Sequence, residues 1–79
     1  MALAADAVAL LRAAPDGTRV SVRRLLPDGS ATDAVGYLSG ASDSACVVAT
    51  VRGLVTIAFD TVVAAREVPP PPPRRVPAR

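Results

Sequence analysis

The stretch GTRVSVRRLLPDGSATDAVGYLSG, residues 17–40, decides the fold. Its first part alternates: Val20 and Val22 stand against Arg19, Ser21 and Arg23. That is the period-2 pattern of a strand with one face buried. At Arg23-Arg24-Leu25 the alternation slips, which predicts a bulge. Pro27-Asp28-Gly29 then reads as a tight turn, with proline presetting the first corner and glycine taking a left-handed position. A second strand over residues 32–38 follows, so the two runs form a hairpin.

Further along, residues 40–44 (GASDS) read as a polar loop and residues 45–51 as a third strand. Arg52-Gly53 is a tight turn before a fourth strand over residues 54–59. Asp60-Thr61 can cap a short helical turn, and residues 62–68 give a last short strand. Before the quoted stretch, residues 2–14 (ALAADAVALLRAA) are strong helix formers. Leu3, Ala7, Leu10, Leu11 and Ala14 fall on one helical stripe. Pro15 ends that run, and Pro15-Asp16-Gly17 repeats the turn chemistry of Pro27-Asp28-Gly29. Short strands at close intervals, with no long crossover, exclude a parallel sheet. They predict a mainly β fold: a small antiparallel barrel of about five strands behind a short N-terminal helix. Closure into a barrel removes exposed strand edges.

Three segments follow: residues 1–16 as helix and turn, 17–68 as barrel, and 69–79 (PPPPPRRVPAR) as a disordered tail or linker. Five consecutive prolines make a semi-rigid spacer and cannot join a sheet interior.

The chain of 79 residues holds one domain. A domain of this size buries only ~60% of its unfolded surface, which leaves little room for a deep cleft. Tyr37 and Phe59 are the only aromatics, so Val, Leu, Ile and Ala must build the core. The net charge of +2 comes from the tail. Residues 1–68 carry six arginines against seven acids, whereas Arg74, Arg75 and Arg79 supply the basic excess. A polyanion-binding fold usually shows a basic face on its own body. The single cysteine, Cys46, lies in an apolar run and reads as a small buried hydrophobe. The N-terminal run has no basic leader and is interrupted by Asp6 and Arg12, unlike a signal peptide. No segment approaches the ~20 apolar residues of a membrane span. The expected location is the cytoplasm.

The chain has no histidine, so a Ser/His or Cys/His nucleophile pair cannot form. The carboxylates are scattered without metal-ligand spacing. The five glycines stand singly, which gives no phosphate-cradling loop. The reading is therefore a non-enzyme with no catalytic, cofactor-binding or metal-binding residues. The candidate interaction surface is Arg19 and Arg23 on the barrel with Arg74 and Arg75 in the tail. Functionally, these, with Arg24 if it extends the stripe, would meet phosphates; structurally, they make a solvated face with cross-strand partners such as Asp33.

Several pieces together resemble a specific module. They are Gly17-x-Arg19-Val20, Leu26-Pro27-Asp28-Gly29, Thr32-Asp33-x-Val35-Gly36, Arg52-Gly53, Val62-Val63-Ala64-Ala65 and Val68-Pro69-Pro70. In this order the chain resembles the N-terminal SH3-like barrel of actinobacterial GNAT-type (histone-acetyltransferase-like) N-acetyltransferases, over residues 17–75. The resemblance implies an accessory role beside an acetyl-CoA-binding catalytic domain, partnered in cis or in trans. The Arg/Gln-x-x-Gly-x-Gly/Ala pyrophosphate loop of those enzymes is absent from this sequence, so no catalytic or cofactor residue carries over. Polyproline binding, the other SH3 association, needs an aromatic-lined groove that two aromatics cannot make. The alternative function is a small barrel that contacts nucleic acid weakly and non-specifically through its arginines.

Without a phosphate-cradling loop, the isolated chain is expected to bind no acetyl-CoA. Calorimetric titration tests this, and a micromolar affinity would overturn it.

Overall fold

The computed structural model describes residues 2–70. Its elements are β1 (Ala2–Leu3), α1 (Ala4–Ala13), β2 (Arg19–Leu25), β3 (Ala31–Ala41), β4 (Ala45–Thr50), β5 (Gly53–Ala58), a 3-10 turn (Phe59–Thr61) and β6 (Val62–Glu67). All pairings are antiparallel, in the order β1-β6-β2-β3-β4-β5. Five main strands behind one helix are what the alternation and turn chemistry predict; the expected removal of edges is not complete, since β1 and β5 stand at the two ends of the strand order without pairing to each other. The two-residue β1 is an addition.

The turns form for the reasons their residues suggest. Thr18 N–H donates to the Pro15 carbonyl at 3.1 Å, and Gly29 N–H donates to that of Leu26 at 2.9 Å. Gly17 and Gly29 have φ of 91° and 88°, the left-handed region that glycine enters without a Cβ clash. Asp28 accepts from the Ser30 hydroxyl at 2.6 Å and from the Ser30 amide at 3.0 Å. These bonds hold its carboxyl below the usual carboxylate range.

Strand parity sorts the sheet. On β2 and β3, Val20, Val22, Ala34 and Leu38 face inward, whereas Arg19, Arg23, Asp33, Val35 and Tyr37 face outward. Cys46, Val48 and Ile57 complete the far wall, and Val62 and Ala65 the near one. Helix α1 lies against β6 and fills the core with Ala7 and Leu11, both fully buried. Leu10 and Ala14 pack beside them, partly buried. Arg12 fastens the helix to the opposite end of the barrel. Its Nη2 donates to the Asp43 carbonyl at 2.5 Å, and its guanidinium lies 5.2 Å from the Phe59 ring centroid, a cation–π contact.

Three sequence expectations are corrected at the element ends. Leu3 belongs to β1, not to the helix, because Ala2 and Leu3 pair with Ala65 and Ala64 on the outer edge of β6. Edge pairing outweighs helix propensity for these two residues. Gly40 and Ala41 extend β3 instead of joining the loop, since Ala41 pairs with Cys46 across a register shift. Asp60 does not cap the 3-10 turn. The cap position is Ala58, without a side-chain bond, and the Thr61 hydroxyl donates to the Ala58 carbonyl at 2.7 Å. The expected bulge is present: the β2–β6 register shifts between Arg23 and Arg24. The spacer and tail expectation falls mostly on residues 71–79, which lie outside the described residues.

β4 comes up against β3 at Gly36. An added Cβ there would stand 2.1 Å from the Ala49 carbonyl oxygen and 3.1 Å from Thr50 Cα. Both are backbone atoms and cannot swing aside. Gly36→Ala is therefore expected to destabilise the domain by about 2–4 kcal/mol. Ile57→Val, which trims one methyl from the core, costs about 1 kcal/mol. Denaturant unfolding of the two variants checks the contrast. Equal costs would mean that β4 can move away from β3.

Candidate functional site

Arg19 and Arg23, the barrel half of the predicted interaction surface, stand on the outer face of β2. Each already has a partner. Arg19 Nη1 donates to the Pro69 carbonyl at 2.6 Å, and Val68 N–H donates to the Arg19 carbonyl at 2.9 Å. Together these bonds tie the chain beyond β6 back to the barrel. Arg23 Nε lies 3.1 Å from Asp33 Oδ1, its cross-strand neighbour. Both side chains are about half exposed, and a pair of that kind contributes about 0–1 kcal/mol. The cross-strand partner expected for this stripe, Asp33, is thus present at Arg23. Arg74 and Arg75, the tail half of that surface, lie outside the described residues.

Sequence reasoning set Arg24 at the end of the outer arginine stripe and passed over Arg52; the structure places both elsewhere. Arg24 continues the inward row of Val20 and Val22, opposite Thr32. It reaches across the mouth of the barrel, where its Nη1 lies 3.4 Å from the Thr56 carbonyl on β5. Its Nε is buried and has no partner. Arg24 lines a cleft of about 470 Å³ between β3 and the β4–β5 hairpin, with Arg52 at the hairpin tip. The signal was present in the parity of Val20, Val22 and Arg24, but the slip at the bulge hid which face Arg24 takes.

A second cleft, of about 260 Å³, joins Arg19 and Tyr37 to the same hairpin and shares Val35, Thr50 and Val51 with the first. The hairpin tip itself is apolar and bare: Val51 is 103% exposed and Leu54 71%. Val35 and Tyr37 are also exposed, on the outer face of β3. The arrangement offers guanidinium donors beside apolar walls. Among the described residues, no three His, Cys, Asp or Glu side chains gather as a metal site.

A family model matches residues 14–66, from just after α1 into β6. The chain belongs to the Rv0428c N-terminal Sm-like domain family. The Sm-like match takes in both clefts and the contact at Gly36. It leaves out β1 and all of α1, although Ala7 and Leu11 are core residues. No curated protein and no solved structure matches the chain. No helix of the described residues is long and apolar enough to cross a membrane.

The remaining chemically distinctive group of this Sm-like domain is Cys46. It is fully buried, and burial pushes its thiol pKa above the ordinary value of 9.0. The folded protein keeps the neutral thiol. Its contribution to stability is complete below pH 9.0 and is lost as pH rises through the folded value. Reaction with a disulfide reagent at neutral pH is expected to follow the rate of unfolding and to accelerate in denaturant. Rapid stoichiometric labelling of the native chain would place the thiol at the surface.

Proposed function

We propose that this Sm-like domain is a non-catalytic accessory module that docks, in cis or in trans, against the catalytic domain of a GNAT-type N-acetyltransferase. The setting proposed for it is the cytoplasm. The supporting observation is the bare apolar hairpin tip, where Val51 and Leu54 stand in solvent beside Val35 and Tyr37. A cluster of this kind on so small a domain marks an interaction surface. Strand β5 strengthens the reading. It ends the sheet, and its sequence GLVTIA carries neither charge nor proline, the usual protections of an exposed edge. The type of partner comes from the resemblance of residues 17–75 to the barrel that precedes such catalytic domains.

The nucleic-acid alternative has less support. Arg19 and Arg23 are already engaged, and residues 1–68 carry more acids than arginines.

The test is to add a GNAT-type catalytic domain of the resembled family, either in trans or joined after Arg79. Amide exchange is expected to slow across residues 51–56. Val51→Asp and Leu54→Asp should each weaken association in trans by about 10- to 100-fold. Both side chains are solvent-exposed, so the melting temperature should barely move. Unchanged exchange, or affinity indifferent to both substitutions, rules out docking through this tip.

A further inference from the structure

We infer that the cleft between β3 and the β4–β5 hairpin is a receptor for a carboxylate on a partner protein. The carboxylate would be an aspartate or glutamate with apolar neighbours, held between Arg24 and Arg52. The inference rests on the accessory reading only in taking the partner to be a protein.

The cleft holds two cations and lacks a free anion of its own. Arg24 is half-buried, with a buried Nε that has no partner and one long bond to the Thr56 carbonyl. Taking a guanidinium partly out of water without a counter-charge is costly. Arg52, across the opening, makes no side-chain hydrogen bond among the described residues. The one acid lining the cleft, Asp33, is taken by Arg23, with Oδ1 at 3.1 Å and Oδ2 at 3.5 Å. An incoming carboxylate would meet donors from two sides, and guanidinium–carboxylate bonds are the strong, directional kind.

The walls select among anions. Val35, Val51 and Val55 line the same space, which suits aliphatic side chains on either side of the charge. Its volume of about 470 Å³ suits one or two side chains more than a long ligand. A polyanion would approach a body with seven acids against six arginines over residues 1–68, so long-range attraction is missing. Base stacking needs aromatic platforms, and no aromatic residue lines this cleft. The combination favours an acidic, apolar-flanked peptide segment over nucleic acid.

The experiment is a nuclear magnetic resonance titration of the full isotope-labelled chain. The probes are the capped peptide N-acetyl-Val-Glu-Val-amide, its Gln counterpart and a short oligothymidylate. The Glu peptide is expected to give saturable shifts at Arg24 Nε, Thr32, Val35, Val51 and Arg52, with the Gln peptide about tenfold weaker. Arg52→Gln, at the exposed tip, should weaken the Glu peptide about tenfold with the spectrum otherwise unchanged. Arg24→Gln should abolish the shifts, and Arg52→Gln carries the test if that variant fails to fold. No saturable shift at about 10 mM peptide overturns the inference, as does equal binding of the Gln peptide. Oligothymidylate that fills the cleft more tightly than the peptide overturns it in favour of nucleic acid. The two readings fail separately. Peptide binding without docking of the acetyltransferase domain sinks only the choice of partner. Docking through Val51 and Leu54 without peptide binding sinks only the cleft.

Discussion

The close approach of β4 to β3 at Gly36 is the constraint on which the rest of the domain depends. β3 serves two partners. Residues 31–37 pair with β2, and residues 37–41 pair with β4 across a register shift. Where the two pairings meet, the Ala49 carbonyl stands where a Cβ of residue 36 would be, so only glycine fits. Because the β4–β5 hairpin starts from that contact, the same glycine sets the position of its tip. Both clefts share Thr50 and Val51 with the tip. The contact at Gly36 therefore bears on both clefts, whose shared residues Thr50 and Val51 follow Ala49 directly in the chain.

The interior explains why the helix belongs to the barrel. With Phe59 the only aromatic in the core, the strands offer mostly Val, Ala and Ile, which do not fill the space alone. Leu11 is the largest fully buried side chain, and it comes from α1. Losing it to alanine would cost a core of this kind about 2–5 kcal/mol. Arg12, the next residue, spans to the Asp43 carbonyl and the Phe59 ring, so one helical turn supplies both the filling and the fastening. The sheet edges are treated unequally. β1 covers part of β6, whereas β5 keeps an uncharged outer edge, touched by Arg24 at Thr56.

Legibility in the sequence followed how local the cause was. The two Pro-Asp-Gly turns and the alternation from Arg19 onward depend on neighbours in the chain, and they led to the strands, the bulge and the Arg23–Asp33 pair. What was missed depends on partners distant in sequence. Leu3 leaves the helical stripe because β6 offers an edge, and Ala41 joins β3 because Cys46 stands opposite. Gly36 read only as one residue of a strand motif, since nothing local announces the Ala49 carbonyl. Of the candidate arginines, Arg19 and Arg23 were placed on the correct face. Their engagement with Pro69 and Asp33, and the inward turn of Arg24, needed the sheet.

Arg24 is the position where local rules and the observed residue disagree most. Its row on β2 is otherwise Val20 and Val22, and a third aliphatic residue would continue the core. Replacing a half-buried, poorly paired charge with an apolar side chain is often neutral or stabilising. Stability alone therefore gives no account of an arginine at this point. Departures from local consistency concentrate where a protein binds or reacts. This one lies at the mouth of the barrel, beneath the hairpin tip that carries the second arginine. Asp33, the acid that lines the same cleft, is bonded to Arg23 instead. The unmet charge and the exposed Val51 of the tip thus line one cleft. A partner that covers Val51 and Leu54 while bringing a carboxylate to Arg24 would satisfy both with one contact.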